Sequence, residues 1–166
     1  MSSLEPRAIG TARLELVPLR VEHAAEMAAV LGDPALHTFI GGTPHTPEAL
    51  HARYERLAAG SPDPSVTWLN WVIRLRADDC LTGTVQATVT AAAAEIAWVV
   101  GTPWQGRGIA GEAARGLVDW LDARQVPSVI AHIHPDHHAS AAVARGAGLA
   151  PTEVIEDGEI RWIRGG

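Results

Sequence analysis

The sequence predicts an α+β fold, and three observations support this prediction. Strand-like alternation and helical spacing of apolar residues follow one another along the chain in the order βααβββαβαββ. Two pairs of strand segments are joined only by short turns, at residues 77–79 and at Asp157-Gly158, and such pairs form antiparallel hairpins. A glycine-rich segment, residues 101–111, joins an apolar strand to a helix. At 166 residues the chain is most simply one domain, residues 1–166, because typical domains run to about 100–150 residues.

The first half of the chain is justified by alternation, helical spacing and turn residues. An apolar alternation opens it, and helical spacing then runs as far as Gly32-Asp33-Pro34. After a turn at residues 39–42, Pro47 takes the first position of a second helix, where its missing N–H costs nothing. The predicted elements are strand 13–19, helix 21–31, helix 46–58 and the hairpin strands 68–76 and 81–90.

The second half is justified by the glycine-rich segment and by glycines that end a helix. A β-branched run enters the segment and a helical pattern leaves it, while Gly146 and Gly148 stop the last helix. Asp157-Gly158 is a strong turn pair. The predicted elements are strand 93–100, helix 112–123, strand 129–134, helix 139–145 and the closing strands 152–156 and 159–164.

Composition narrows the classes of function. A formal net charge of −6 argues against a nucleic-acid backbone as partner and permits a cationic or amine substrate. The sequence contains no apolar run near the roughly 20 residues needed to cross a bilayer, and its first residues lack the apolar core of a signal peptide. The single cysteine, Cys80, excludes an internal disulfide framework and predicts a cytoplasmic location.

The glycine-rich segment predicts an anion-binding site. A glycine-rich turn between a strand and a helix exposes backbone N–H groups, and the positive end of the helix dipole adds to them. A nucleoside-triphosphatase loop would need a lysine and a hydroxyl where Arg107 and Gly108 stand, and the chain has no lysine. A dinucleotide fingerprint, Gly106-x-Gly108-x-x-Gly111, lacks the acidic residue expected near Ala131. A turn with no ligand is a further alternative.

Another interpretation of the segment rests on a family resemblance. The six residues from Gln105 to Ala110 resemble the acetyl-coenzyme A (acetyl-CoA) signature of the GNAT acetyltransferases, Gln/Arg-x-x-Gly-x-Gly/Ala. Residues 11–19, 94–98 and 134–140 resemble segments of the branch that contains ribosomal-protein N-terminal acetyltransferases, and Ala147-Gly148-Leu149 stands where the family has a Gly-Phe pair. The resemblance implies a three-layer α/β/α fold with a mixed, mostly antiparallel sheet. It also implies acetyl transfer to a primary amine by direct attack, with acetyl-CoA as co-substrate and no metal.

The resemblance further implies a coenzyme site and a general base. The backbone of the strand would pair with the coenzyme's pantetheine arm, and an amide near Val99 or Val100 would donate to the thioester carbonyl. Glu95 is the candidate base, working through a water, with a pKa raised by burial near the strand. An ordinary exposed strand-end carboxylate is the alternative for Glu95. The residues expected to hold the coenzyme are Val99, Val100, Gln105, Gly106, Arg107, Gly108, Ile109, Ala110, His137 and Ser140.

Ser140 is the candidate acid for the leaving thiolate. It matches the serine of the family's Asn-x-x-Ser segment, whereas His137 replaces the asparagine and Ala144 stands where other branches carry a tyrosine donor. Ser140, His137 and solvent therefore all remain candidate donors, and Ser140 is also a plausible helix cap. These departures keep a non-catalytic coenzyme A-binding sensor open as an alternative, with a dinucleotide-dependent oxidoreductase as a distant third.

The acceptor site has no motif, so its residues are placed by position. Phe39, Trp71 and Trp98 are the candidates for substrate binding, although core packing is the usual role of strand tryptophans. The acceptor could be a peptide N-terminus, an aminoglycoside, a polyamine or a small amine, and the branch resemblance favours an α-amine. A homodimer through the closing hairpin is plausible. A metal site formed by the histidines at 132, 134, 137 and 138 lacks the converging ligands that zinc requires.

Overall fold

A computed structural model describes residues 4–38 and 43–165. The strands are β1 (Ile9–Gly10), β2 (Leu14–Pro18), β3 (Thr67–Leu75), β4 (Cys80–Val89), β5 (Ala94–Val100), β6 (Ser128–Ile133), β7 (Ala150–Glu156) and β8 (Glu159–Gly165). The helices are α1 (Ala24–Val30), α2 (Pro47–Ala59), α3 (Ile109–Ala123) and α4 (His138–Gly146), and short 3-10 turns cover Val21–His23, Pro34–His37 and Thr102–Trp104.

The predicted elements all form, with differences at their ends. The sequence missed β1, because a strand of two residues shows no alternation. The helix after the glycine-rich segment begins at Ile109, three residues earlier than predicted, since Ile109 is buried and Gly108 takes the N-cap position. The predicted turn at residues 39–42, with the substrate-binding candidate Phe39, lies outside the described residues.

The strands form one mixed sheet in the order β1-β2-β3-β4-β5-β6-β8-β7. Neighbouring strands are antiparallel except β5 and β6, which are parallel and pair only through Ala94 with Val129 and Glu95 with Ile130. Beyond Glu95 the two strands no longer pair, so the sheet opens between them at their carboxyl ends. The α+β prediction, with a mostly antiparallel sheet, is confirmed.

Helices cover both faces of this sheet. Helices α1 and α2 pack on one face, where Met27, Leu50 and Val72 belong to one apolar cluster. Helices α3 and α4 pack on the other face, where Val85 and Leu117 belong to a larger cluster. Since successive side chains of a strand point to opposite faces, β3 and β4 supply both clusters. The result is a three-layer arrangement of helices, sheet and helices.

Trp71 belongs to the α3-side core. It is 0% exposed, its ring lies edge-on to Trp120 with centroids 5.3 Å apart, and its indole N–H donates to the Arg7 carbonyl oxygen at 2.8 Å. A side chain enclosed in this way offers no surface to a substrate. The expectation that Trp71 binds substrate is therefore wrong, and its usual packing role prevails.

Within the described residues, no helix combines the length and apolar character required to cross a membrane.

Candidate functional site

The glycine-rich loop between β5 and α3 depends on two left-handed glycines. Gly106 has φ 76° and Gly108 has φ 77°, a region in which a side chain costs about 1–2 kcal/mol. A Cβ atom on Gly106 would meet nothing within 4 Å, and one on Gly108 would approach only the Arg13 side chain, at 3.4 Å. Backbone conformation, and not crowding, is therefore the reason for glycine at both positions.

The loop presents a row of free backbone donors. Within the described part of the chain, no acceptor bonds the amides of residues 106–110, because they precede or begin α3. Residues 105–108 are exposed, and the positive end of the α3 dipole lies among them. Unpaired amides at a helix start are a site for phosphate groups, so the predicted pyrophosphate-binding residues Gln105 to Ala110 fit a coenzyme.

Two contacts hold this loop in place. The Gln105 side-chain amide donates to the Val100 carbonyl oxygen at 3.0 Å, which ties the loop to the end of β5. Arg13 forms an ion pair with Glu112 at 2.8 Å and donates to the Arg107 carbonyl oxygen at 2.9 Å. Local sequence patterns do not predict this bridge, because Arg13 and Glu112 are 99 positions apart.

Glu112 is ionised more readily than an ordinary glutamate. Burial raises its pKa, but hydrogen bonds from Thr11 and from Arg13 outweigh burial, so the pKa of Glu112 is lowered from 4.5. The carboxylate accepts from the Thr11 hydroxyl at 2.5 Å and from the Arg13 amide at 2.8 Å. Glu112 therefore joins the segment before β2 to the first turn of α3, directly behind the loop.

The hydrogen bonds between β4 and β5 show which backbone groups of β5 face the opening in the sheet. Gly101 N–H donates to Thr82 O at 2.8 Å and Thr90 N–H donates to Ala93 O at 2.9 Å, across the β4–β5 pair. In an antiparallel pair the bonded residues alternate, so Val99 points its N–H at β4, whereas Val100 points its N–H toward the opening. Of the two predicted thioester donors, Val100 is the one that this geometry supports.

The start of α4 joins His137 to Ser140. The His137 ring accepts from the Ser140 amide through Nδ1 at 3.4 Å, and its Nε2 lies 3.0 Å from the Ser140 hydroxyl. Burial, with His134 and His138 nearby, lowers the pKa of His137 from 6.5, which favours the neutral ring. A neutral ring that accepts through Nδ1 carries its proton on Nε2 and donates it to Ser140 Oγ. The hydroxyl proton of Ser140 is then available to another acceptor.

Glu95 lies on the sheet face that α1 and α2 cover, since it points to the same side of β5 as Ala97, two residues later. Its side chain is 51% exposed, and its carboxylate oxygen Oε2 lies 3.0 Å from His132 Nδ1. The expected burial of Glu95 is therefore not found. His132 is only 11% exposed, and its Nε2 lies 3.0 Å from Glu156 and 3.2 Å from Arg161 Nε. His132 of β6, which contacts Glu156 of β7 and Arg161 of β8, thus holds the Glu95 carboxylate in position.

A cavity of about 720 Å³ lies on the same face, between helices α1 and α2 and strands β3 to β5. Trp98 and Val99 line it where β5 leaves β6. The Trp98 side chain also packs against the α3-side core, so its role at the acceptor site stays a prediction. The Trp98 indole N–H is buried and has no hydrogen-bond partner among the described residues. The cavity and the glycine-rich loop therefore meet at the same end of β5.

Among the described residues, no group of three or more His, Cys, Asp or Glu side chains is placed to hold a metal ion. His132 and His137 instead have the protein partners given above.

Comparisons with known proteins agree with this geometry. A family model described as an acetyltransferase (GNAT) domain matches residues 13–150. A search of curated proteins finds no match. Among solved structures, the chain resembles RimL, a ribosomal alpha-N-protein acetyltransferase in complex with coenzyme A, with 17% identity and a TM-score of 0.80 over 96% of this chain and 98% of that one.

Two further solved structures show the same fold. An acetyltransferase from Agrobacterium tumefaciens is 21% identical, with a TM-score of 0.76 over 99% of this chain and 97% of that one. An acetyl transferase from Salmonella typhimurium that modifies the N-terminal serine of a 50S ribosomal subunit protein is 15% identical, with a TM-score of 0.76 over 96% of this chain and 99% of that one.

Proposed function

Since the chain belongs to the GNAT acetyltransferase family of acyl-CoA-dependent N-acetyltransferases, we propose that it acetylates a primary amine by direct attack on acetyl-CoA. The acceptor is the α-amine of a peptide or of a small molecule. One observation carries this proposal: an anion-binding loop and a cavity meet at the open edge of β5, with a candidate base on the same face. An amine in the cavity would therefore approach the strand along which the coenzyme lies.

The chain's own groups hold the coenzyme. The amides of residues 106–110 bind its pyrophosphate, and the backbone edge of β5 beyond Glu95 pairs with its extended arm. Acetyl-CoA supplies the acetyl group as a thioester. The N–H of Val100 donates to the carbonyl oxygen, where negative charge develops as the amine attacks.

Glu95 takes up the proton that the amine loses, through a water. In the overall reaction the nitrogen bonds to the acetyl carbon, the carbon–sulfur bond breaks, the amine gives up a proton and the thiolate gains one. An α-amine with a pKa near 8 is about one-tenth neutral at pH 7, whereas a lysine amine is less than about one-thousandth neutral. A half-exposed carboxylate fits the smaller demand of an α-amine.

Ser140 donates the proton to the thiolate. Its hydroxyl accepts from neutral His137, so its own proton is directed away from the ring. His137 thus positions Ser140 and caps α4 at the same time. This arrangement supports Ser140 over His137 as the donor, and it gives His137 a role at the position of the family's asparagine.

A coenzyme A-binding sensor is the second candidate. The replacements that favour it are His137, Ala144 and Leu149, each at a position where the family resemblance implies another residue. A sensor would keep the loop and lose the proton donors. The contact between His137 and Ser140 supports the enzyme instead, since a sensor has no need of a directed hydroxyl.

Two measurements test the proposal. Thermal melting with acetyl-CoA, coenzyme A, NAD and ATP should show stabilisation by the two coenzyme A species only, since a ligand at about 100 times its Kd adds roughly 2.7 kcal/mol. Release of free coenzyme A thiol in the presence of amines should then show turnover. Stabilisation without turnover on any amine would favour the sensor, and stabilisation by NAD would overturn the assignment of the loop.

Three further properties that the sequence predicts remain predictions. The continuous sheet supports a single domain over residues 1–166. The exposed Val154 and Ile155 on β7, 44% and 68% accessible, support a homodimer through the closing hairpin. The cytoplasmic location rests on the single cysteine, Cys80.

A further inference from the structure

The cavity has two walls of different chemistry. The helix-side wall combines apolar side chains, among them Leu31, Leu36 and Leu50, with Arg53 and Tyr54 of α2. The sheet-side wall carries the neutral polar side chains of Asn70, Thr84 and Gln86. An occupant with an apolar body between the helices and polar groups toward the sheet fits these walls.

Charge in the cavity has one sign. Among the described residues that line it there is no aspartate and no glutamate, and Arg53 of α2 carries a permanent positive charge. Arg53 forms no ion pair with any carboxylate in the described part of the chain, although the protein is acidic as a whole. A second positive charge on an acceptor would therefore find no partner here, whereas a negative charge would find Arg53.

Tyr54 adds a buried donor beside Arg53. The residue is 2% exposed, lines the cavity, and its hydroxyl has no hydrogen-bond partner among the described residues. Burial raises the pKa of Tyr54 to about 12, so the hydroxyl keeps its proton at neutral pH. Buried polar groups are normally hydrogen-bonded, and an unpartnered hydroxyl in a cavity wall indicates a ligand that supplies an acceptor oxygen.

We propose that the acceptor is a short α-amine with an apolar body and a terminal carboxylate, which Arg53 and Tyr54 bind. This inference rests on the proposed acetyl transfer and names the acceptor class within it. The amine lies toward Val99 of β5, and the carboxylate lies toward α2. Polyamines and aminoglycosides are disfavoured, because their further positive charges would face Arg53 with no carboxylate to balance them.

Three matched acceptors test this assignment on the full chain. Leucyl-glycine, leucyl-glycinamide and leucyl-ethylenediamine share one α-amine and one apolar side chain, and they end in a carboxylate, an amide and an ammonium group. We expect kcat/KM to be about tenfold or more higher for leucyl-glycine, because a hydrogen bond to a charged group is worth about that much. Equal or higher kcat/KM for the amide or the ammonium compound would overturn the proposal.

Variants of α2 identify the residue responsible. Arg53→Gln should lower kcat/KM for leucyl-glycine about tenfold and leave leucyl-glycinamide within about twofold. Arg56→Gln is the matched control, since both arginines are exposed on α2 and Arg56 does not line the cavity. An unchanged preference for the carboxylate in Arg53→Gln would overturn the role of Arg53.

Tyr54→Phe gives a second readout that separates binding from folding. The melting temperature should stay the same or rise, because the hydroxyl has no partner in the free protein. The KM for leucyl-glycine should rise by about fivefold. A lower melting temperature with an unchanged KM would show a structural role and contradict the proposal.

Failure of the inference differs from failure of the proposed function. Acetylation of a longer peptide amide, with no preference for leucyl-glycine, would retain acetyl transfer and overturn the carboxylate assignment. If no acceptor is acetylated, the proposed function fails. Calorimetric binding of leucyl-glycine and leucyl-glycinamide then tests the cavity directly, and equal binding would overturn the assignment of Arg53.

Discussion

The coenzyme loop and the acceptor cavity meet at one end of β5, yet they are built from different parts of the chain. The loop consists of consecutive residues, and its donors are backbone amides made accessible by Gly106 and Gly108. The cavity is lined by side chains from two helices and three strands. A backbone site needs a short, recognisable run of residues, whereas a side-chain site can be assembled from positions far apart.

Because the two sites use different groups, substitutions in them should have different kinetic effects. A change at the loop should weaken binding of acetyl-CoA and leave the acceptor unaffected. A change on the cavity face should alter turnover or acceptor binding and leave the coenzyme unaffected. Variants in the two regions can therefore test this distinction.

The largest expected effect is at Glu95. Glu95→Gln should lower kcat by about 100-fold at neutral pH with little change in KM for acetyl-CoA, since general base catalysis contributes about that much. Steady-state rates at several pH values provide the measurement. His132→Gln is the companion variant, and it should have a smaller effect because His132 only positions the carboxylate. A rate within about twofold of wild type in Glu95→Gln would place the base elsewhere.

The loop is tested by Gly106→Val. A left-handed residue with a branched side chain is strained, so the affinity for coenzyme A should fall by about tenfold or more, with the KM for the amine unchanged. Calorimetric titration with coenzyme A measures the loss. Gly158→Val is the matched control, because Gly158 has φ 80°, also lacks neighbours around its Cβ position, and lies in the β7–β8 turn. An equal loss of affinity in both variants would attribute the effect to general destabilisation.

Ser140→Ala tests the proton donor. We expect kcat to fall by about tenfold while both KM values hold, because solvent can replace part of a general acid's contribution. Because the pKa of His137 lies below 6.5, the His137–Ser140 contact should persist as the pH falls through 6.5. The pH profile of kcat should therefore show no step at pH 6.5 that arises from loss of this contact. An unchanged kcat would assign the protonation of the thiolate to solvent.

The smallest effect concerns the support behind the loop. Glu112→Gln should lower the free energy of unfolding by about 1 kcal/mol at pH 7, because the amide loses a charge-assisted pair with Arg13. The folded-state pKa of Glu112 is lowered, so its stabilisation is present above pH 4.5 and is lost as the pH falls through the lower folded value. Denaturant unfolding at pH 7 and below pH 4 measures this, and a gap that persists in acid would contradict the ion-pair explanation.

Some of the site could be predicted from the sequence because it depends on short runs of residues. The strand–glycine–helix segment and the Ser140 region were placed correctly relative to the sheet, since local spacing determines which element follows which. Trp71 was assigned to the substrate, because alternation along β3 shows that a side chain faces one side and does not show which side holds the cavity. For Glu95 the sequence leaves a buried and an exposed carboxylate open, and the side chain is half exposed.

The order of the elements, the anion-binding loop and the family can all be predicted from the sequence, because each is encoded in consecutive residues. Tertiary structure alone decided that β5 and β6 separate after Glu95, that Arg13 reaches Glu112, and that Arg53 and Tyr54 share a cavity with β5. These features join segments far apart in the chain. They form only when strand pairing and the burial of apolar faces bring those segments together, and local sequence patterns do not predict these contacts.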